Sequence, residues 1–223
     1  MTTNFEQMRF NMIEQQVRPW EVLDERVLNV LAAFPREDFV PADYRNLAYA
    51  DIEIPLGDEQ SMLPPRIVGR LLQALNVQPG EQVLEIGTGS GYVTACLAQL
   101  GGQVRSLDIN PMLVDTAYSR LAAHELGWLS VQTADIFAAD TPIIGAPFDA
   151  IAVTGSLPDE TAVAYLIAQL TLGGRLFVVI GQAPLMQAWL ITRLSNGDIQ
   201  RQQLFETCIP PLCNVPQPGS FVF

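Results

Sequence analysis

The sequence predicts an α/β protein, a doubly wound and mostly parallel sheet that ends in an antiparallel hairpin and is preceded by an N-terminal helical extension. Three observations point there. After residue 78, short β-rich apolar runs alternate with helical segments, the pattern of parallel strands joined by crossover helices. A glycine-rich turn, GTGSG (87–91), stands between the first of those runs and its helix. Near the C-terminal end, two strand-like runs are joined by Asn196-Gly197, a strong signal for a tight hairpin.

In the extension, Phe5, Met8 and Met12, with Ile13 alongside, recur at helical spacing. Arg18-Pro19 should end that helix, because the residue before a proline avoids helical angles. A second helix is expected to begin near Asp24, with Val27, Leu28, Leu31 and Phe34 on one face and Pro35 as its stop. Residues 38–63, which carry Pro41, Pro55 and Gly57, read as irregular. Pro64-Pro65 then opens a third helix with an apolar stripe of Ile67, Val68, Leu71, Leu72 and Leu75.

The core is expected to supply buried strands at 83–86, 104–107, 129–131, 150–153 and 176–180. Helices should fill 92–100, 112–126 and 160–170 between them. Asn110-Pro111 offers a cap and first-turn proline for the second of these, and Gly127 its stop. The runs 186–194 and 199–207 form the terminal hairpin, and there is no internal repeat.

Composition restricts the chemistry. The chain has 223 residues, and its twelve basic residues are all arginine; there is no lysine, and His124 is the only histidine. That removes Schiff-base and phosphate-loop lysines, and one histidine cannot build a multi-histidine metal site, so no metal is expected. His124, in LAAHELG (121–127), belongs at a helix C-terminus, where a protonated imidazole favours the helix dipole. With 24 acidic residues the formal charge is -12, which argues against binding long nucleic acids.

Charged residues at 16% and hydrophobic ones at 49% describe a globular chain. Cys96, Cys208 and Cys213 are odd in number and match no zinc or CxxC spacing, and Cys96 falls among core helix positions. No apolar run reaches the ~18 residues of a membrane span, and the start of the chain lacks a basic signal-peptide region. A cytoplasmic location without a membrane partner is expected.

In VLEIGTGSGY (83–92), glycines let the backbone pass close to a ligand and the helix start offers free N–H groups, which makes Gly87, Thr88, Gly89, Ser90 and Gly91 binding candidates. Asp108, at the end of the next strand, suits a ribose diol because a carboxylate can accept from both hydroxyls. Asp135, just after the third strand, suits an adenine amino group, with Ile109 and Ile136 against the ring faces. Glu85 is placed to orient the loop and the ammonium of an amino-acid moiety. A dinucleotide site would more usually read GxGxxG, and Glu85 would oppose a pyrophosphate, whereas a sulfonium is positive. S-adenosyl-L-methionine, leaving as S-adenosyl-L-homocysteine, is the better fit.

At these residues the chain resembles the protein-L-isoaspartate O-methyltransferase family. PREDFVP (35–41), AYAD (48–51) and IPLG (54–57) are similar to its N-terminal signature, and LEIGTGSGY (84–92) to its cofactor loop. FDAIAVT (148–154) and QLTLGGRL (169–176) are similar to its later strand and turn. The resemblance implies a class I, Rossmann-like methyltransferase sheet with its terminal hairpin. It implies cofactor contacts at Glu85, Gly87, Thr88, Gly89, Gly91, Asp108 and Asp135, and methyl transfer to a carboxylate of damaged, isoaspartyl protein. Residues 1–76 would then carry the acceptor-side loop and 77–223 the cofactor-binding core.

Three departures concern the acceptor. The family usually shows Gly-Gln-Thr-Ile-Ser before the third helix, its final serine associated with the isoaspartyl carboxylate; here EQSML (59–63) puts Leu63 at that position. Ile136 stands where glycine is common, and the chain continues as IPPLCNVP (209–216) in place of the usual terminal strand. A small molecule or another protein carboxylate is the alternative acceptor, and a non-catalytic cofactor-binding protein the remaining reading. Thr154 to Pro158, GSL between, lacks the Asn/Asp-Pro-Pro-aromatic run of nucleic-acid amino methyltransferases. An already ionised carboxylate needs no general base, which suits this composition. An acidic protein must attract it with a local positive field, for which Arg66 and the start of the third helix are candidates, with Ser61 as a hydrogen-bonding partner.

Overall fold

The computed structural model describes residues 4–138 and 147–215. The extension contains α1 (Phe5–Met12), α2 (Glu25–Ala33), a hairpin of β1 (Ile54–Gly57) and β2 (Gln60–Met62), and α3 (Pro65–Leu75). The core follows as β3 (Gln82–Ile86), α4 (Tyr92–Gln99), β4 (Gln103–Asp108), α5 (Pro111–Ala123), β5 (Ser130–Thr133), β6 (Phe148–Leu157), α6 (Thr161–Ala168), β7 (Leu170–Gln182), β8 (Leu185–Arg193) and β9 (Ile199–Thr207).

Seven strands form one sheet in the order β5-β4-β3-β6-β7-β8-β9. Pairings from β5 through β7 are parallel, and β7-β8 and β8-β9 are antiparallel, so the predicted doubly wound sheet with its closing hairpin is the observed fold. Alternation along the central strands feeds two apolar layers. Val83, Ala150, Ala152, Phe177 and Val179 face one layer, and Leu84, Ile86, Ile151, Val153, Leu176 and Val178 the other. Met12, Leu31 and Leu71 of the extension lie in the first of these layers, so the extension is packed into the same core as the sheet.

Local signals hold at most boundaries. Asp24 accepts from Arg26 N at 2.8 Å to cap α2, and Asn110 accepts from Met112 N at 2.9 Å to cap α5, with Pro111 in its first turn. Gly197, at φ +89°, completes the turn between β8 and β9. Beyond α1 the chain runs on through a wide π turn and a 3-10 turn that contains Pro19, and the left-handed Glu21 ends it.

Two expectations are corrected. Residues 38–63 are not wholly irregular: 3-10 turns cover Arg36–Asp38 and Ala42–Leu47, and β1 pairs with β2. The turn of that hairpin is Asp58-Glu59, both at positive φ (49° and 59°). This mirror-image turn is normally announced by Asn-Gly, which is why the sequence hid it. At the end of α5 the left-handed residue is Glu125 (φ 61°), not Gly127. Leu126 N bonds Leu121 O at 2.9 Å and Leu126 packs on the core, so an apolar contact fixes the stop.

His124 caps α5 and stacks on Phe39, ring centroids 5.3 Å apart, with Nε2 3.4 Å from Asp38 Oδ2. It joins the extension to the core. Arg175 does the same from β7, donating to Leu75 O at 2.8 Å and forming a two-armed pair with Glu81 at 2.8 and 2.7 Å. Burial opposes the Glu81 charge, but Arg175 and the Gln78 N–H more than offset it and hold the carboxyl below its ordinary range. Replacing Arg175 with Met is expected to cost about 2 kcal/mol in urea unfolding at pH 7, a loss that shrinks as pH falls through the depressed pKa. An unchanged midpoint would contradict this.

Candidate active site

The strand order reverses at β3, which lies between β4 and β6, and ligands of open α/β sheets bind at the carboxyl ends of strands at such a point. The glycine loop leaves β3 there. Gly87 and Thr88 donate to Leu107 O at 2.8 and 3.3 Å, tying the loop to β4. Asp108 fixes its tip, with Oδ2 accepting from Gly89 N and Oδ1 from Asn110 N, each at 2.9 Å. Each oxygen keeps a further lone pair, so the carboxylate can still accept from a diol.

Under the loop, Glu85 is fully buried. Ser106 Oγ donates to its Oε2 at 2.6 Å, Thr94 Oγ1 donates to the same oxygen, and Oε1 has no partner. Burial, only partly countered by those hydroxyls and reinforced by the charge of Asp108, pushes the Glu85 carboxyl up to about 8. Glu85 is therefore mostly a neutral, loop-supporting acid at pH 7. On the opposite side, Thr154 Oγ1 donates to Gly87 O at 2.6 Å and contacts Ile86 O at 3.0 Å.

Two cavities meet at Gly87. The larger, about 260 Å³, is walled by Asp108, Ile109, Asp135 and Ile136, with Leu212 and Cys213 of the tail above. Asp135 Oδ1 accepts from Phe137 N at 2.9 Å, and Oδ2 from Asn214 Nδ2 at 2.8 Å. The β1-β2 turn closes another side, with Asn110 Nδ2 donating to Asp58 at 3.1 Å and Gln60 reaching Cys213 at 3.7 Å. The smaller cavity, about 30 Å³, lies between that hairpin and the glycine loop, where Ser61 and Leu63 face Thr88, Gly89, Ser90 and Thr154.

Gly87, Thr88, Gly89, Ser90, Asp108, Ile109, Asp135, Ile136, Ser61 and Leu63 thus lie on the two walls. Glu85, Gly91 and Arg66 do not. Glu85 lies below the loop, its carboxyl group held by Ser106 and Thr94. Gly91 permits close helix packing, since a Cβ there would sit 3.1 Å from that of Ala117. Arg66 is paired with Asp51 and lies over the Trp20 ring, 4.7 Å from its centroid, with its Nε buried and without a hydrogen-bond partner. Ser61 Oγ donates to Glu53 at 2.8 Å. Thr154, Tyr92, Arg36, Leu212 and Cys213 also line the walls. They fall within the quoted motifs, but the local patterns gave them no site role, since their places on the walls depend on segments distant in sequence.

A family model described as protein-L-isoaspartate(D-aspartate) O-methyltransferase matches residues 7–215. The chain belongs to the protein-L-isoaspartate(D-aspartate) O-methyltransferase family. A Koribacter versatilis protein-L-isoaspartate O-methyltransferase is 37% identical over 210 residues, covering 94% of this chain and 92% of that one. A Rhodopseudomonas palustris protein-L-isoaspartate O-methyltransferase 1 is 38% identical over 211 residues, covering 94% and 84%. In fold, the chain is similar to a Plasmodium falciparum protein described as a protein-L-isoaspartate O-methyltransferase and solved with S-adenosyl-L-homocysteine. Its TM-score is 0.78 at 20% identity, covering 94% of this chain and 98% of that one. Leu63 and Ile136 fall on the cavity walls, and Leu212 and Cys213 of the tail border the larger cavity. Among the described residues, no helix is long and apolar enough to cross a membrane.

Proposed function

We propose that this protein is an S-adenosyl-L-methionine-dependent carboxyl methyltransferase acting on isoaspartyl residues of proteins or peptides. The observation that carries the reading is the meeting of the two cavities at Gly87, one with a nucleoside-like donor set and the other walled by the acceptor loop. The donor set fits the cofactor: Asp108 keeps free lone pairs for a ribose, Asp135 presents an acceptor, and Ile109 and Ile136 offer apolar faces. When bound, S-adenosyl-L-methionine supplies an electrophilic methyl group on a positive sulfonium.

The chain's own residues do the rest by position. Asp108 and Asp135 hold the nucleoside end, and Asn214 must give up its bond to Asp135 where an adenine amino group takes it. Thr154 holds Gly87 O at the junction, and the β1-β2 hairpin with Leu212 and Cys213 borders the larger cavity there. An isoaspartyl carboxylate is ionised at pH 7, so no side chain has to remove a proton, and orientation and electrostatics supply the acceleration. Residues 1–76 form the acceptor side and 77–223 the cofactor side in this reading.

Calorimetric titration with S-adenosyl-L-homocysteine tests the cofactor half, and labelled methyl transfer to an isoaspartyl peptide against its aspartyl twin tests the acceptor half. Binding without transfer would overturn the acceptor. A different acceptor is favoured by one observation: Leu63, only 5% exposed, presents an apolar side chain to the small cavity. Leu63→Ser is expected to raise kcat/KM for the isoaspartyl peptide about tenfold or more, the worth of one hydrogen bond to a charged group. A fall in that ratio would favour an acceptor that needs the apolar contact.

A further inference from the structure

Beyond the closing hairpin, residues 209–215 return to the carboxyl end of β6. Ser156 N donates to Pro210 O at 2.9 Å, Leu212 N donates to Ser156 O at 3.0 Å, and Ser156 Oγ donates to Ile209 O at 3.2 Å. Leu212 is seated against Gly155, where an added Cβ would fall 2.7 Å from Leu212 Cδ2. Val215, 5% exposed, packs in the apolar layer that includes Ile136. The tail is thus held by hydrogen bonds before Cys213 and by a buried side chain after Asn214.

Asn214 itself is exposed and has φ 56°, a left-handed conformation that asparagine adopts more readily than most residues with a Cβ. Its Nδ2 donates to Asp135 Oδ2 at 2.8 Å, across 79 positions of sequence. Asp135 Oδ1 accepts from Phe137 N at 2.9 Å and so holds its own turn, which leaves Oδ2 for a group from outside that turn. Asp135 lines the larger cavity, and so do Leu212 and Cys213, the residues just before Asn214. The donor matches the ligand group expected there. A carboxamide nitrogen and the adenine amino group are both neutral, planar NH2 groups on an sp2 carbon, each with two N–H donors.

We propose that Asn214 is an internal competitor for the cofactor's adenine amino group, a latch that holds the acceptor on Asp135 and is released when the nucleoside end takes it. The inference rests on the adenine placement given under Proposed function, and it makes a tail residue a determinant of cofactor affinity. Release requires only rotation of an exposed side chain, because Ser156 and Val215 keep the tail itself in place.

Asn214→Gly removes the carboxamide and leaves a residue at ease with φ 56°. Calorimetric titration with S-adenosyl-L-homocysteine is expected to give a Kd about threefold to tenfold below that of the wild type, the worth of one exposed hydrogen bond no longer lost on binding. An unchanged or higher Kd overturns the latch. Asp135→Ala completes a double-mutant cycle. It should raise the Kd about tenfold, and adding Asn214→Gly to it should change nothing further, since the acceptor for which the two groups compete is gone. A lower Kd from Asn214→Gly in both backgrounds means that the side chain obstructs by its bulk, which overturns the competition. An Asp135→Ala protein that binds like the wild type refutes the adenine placement and the latch with it, whereas a tenfold loss there with no change in Asn214→Gly removes the latch alone. Asn214→Gly decides by itself if Asp135→Ala does not fold. Absence of methyl transfer to an isoaspartyl peptide refutes the acceptor alone, because these titrations contain none.

Discussion

Gly87→Ala is expected to weaken S-adenosyl-L-homocysteine binding by about a hundredfold or more, near 2.7 kcal/mol, and to lower the melting temperature. Two effects combine at this position. Gly87 has φ +94°, which strains any residue with a Cβ by about 1–3 kcal/mol. A Cβ there would also fall 2.3 Å from Thr154 Oγ1, a contact that cannot persist. Thr154 is a short branched side chain already bonded to Gly87 O, so relief requires the loop or β6 to move. Since Gly87 belongs to both cavities, either movement disturbs them together.

Gly80→Ala separates the two effects. Gly80 has a similar φ of +85° but nothing within 4 Å of the added Cβ, and it lies on neither cavity wall. It should show the stability loss from backbone strain with no change in ligand affinity. Pairing Gly87→Ala with Thr154→Ala should recover part of the affinity, because the clash goes and the backbone strain stays. Equal ligand affinities for Gly80→Ala and Gly87→Ala would refute the clash as the cause.

Glu85→Gln is expected to flatten the pH dependence of stability above pH ~5. The carboxyl titrates at about 8 in the folded protein against ~4.3 in an unfolded chain, so between those values the folded state keeps a proton that the unfolded state has released. Stability from this group is complete below the unfolded value and is lost as pH rises through the folded one, with a slope approaching ~1.4 kcal/mol per pH unit in between. The glutamine stays neutral and still accepts from Ser106 and Thr94. Self-repulsion of a chain at -12 also weakens it as pH rises, so the informative quantity is the difference between the two proteins' urea midpoints from pH 5 to 9. Parallel curves would mean that Glu85 is ionised throughout.

The sequence reading succeeded where a single local pattern is sufficient. The glycine loop between β3 and α4 and the acids at the end of β4 and just after β5 lie where their local patterns put them, because a loop between a strand and its helix and an acid at a strand end keep their place in any α/β sheet. Residues 38–63 lacked such a signal, since Asp58-Glu59 makes a mirror-image turn without glycine or asparagine. The hairpin it closes is what brings Ser61 and Leu63 against the glycine loop.

By itself, the sequence determined the doubly wound sheet, its closing hairpin and the place of the glycine loop between β3 and α4. Tertiary structure decided which charges remain available. Asp51 and Arg66 neutralise each other, Glu85 is buried until its carboxyl prefers to stay protonated, and Arg36 is buried with one N–H unused. The reason is physical: strand and helix periodicity repeats over a few residues, whereas desolvation and pairing depend on groups such as Arg36 and Tyr92 that only the folded chain brings together.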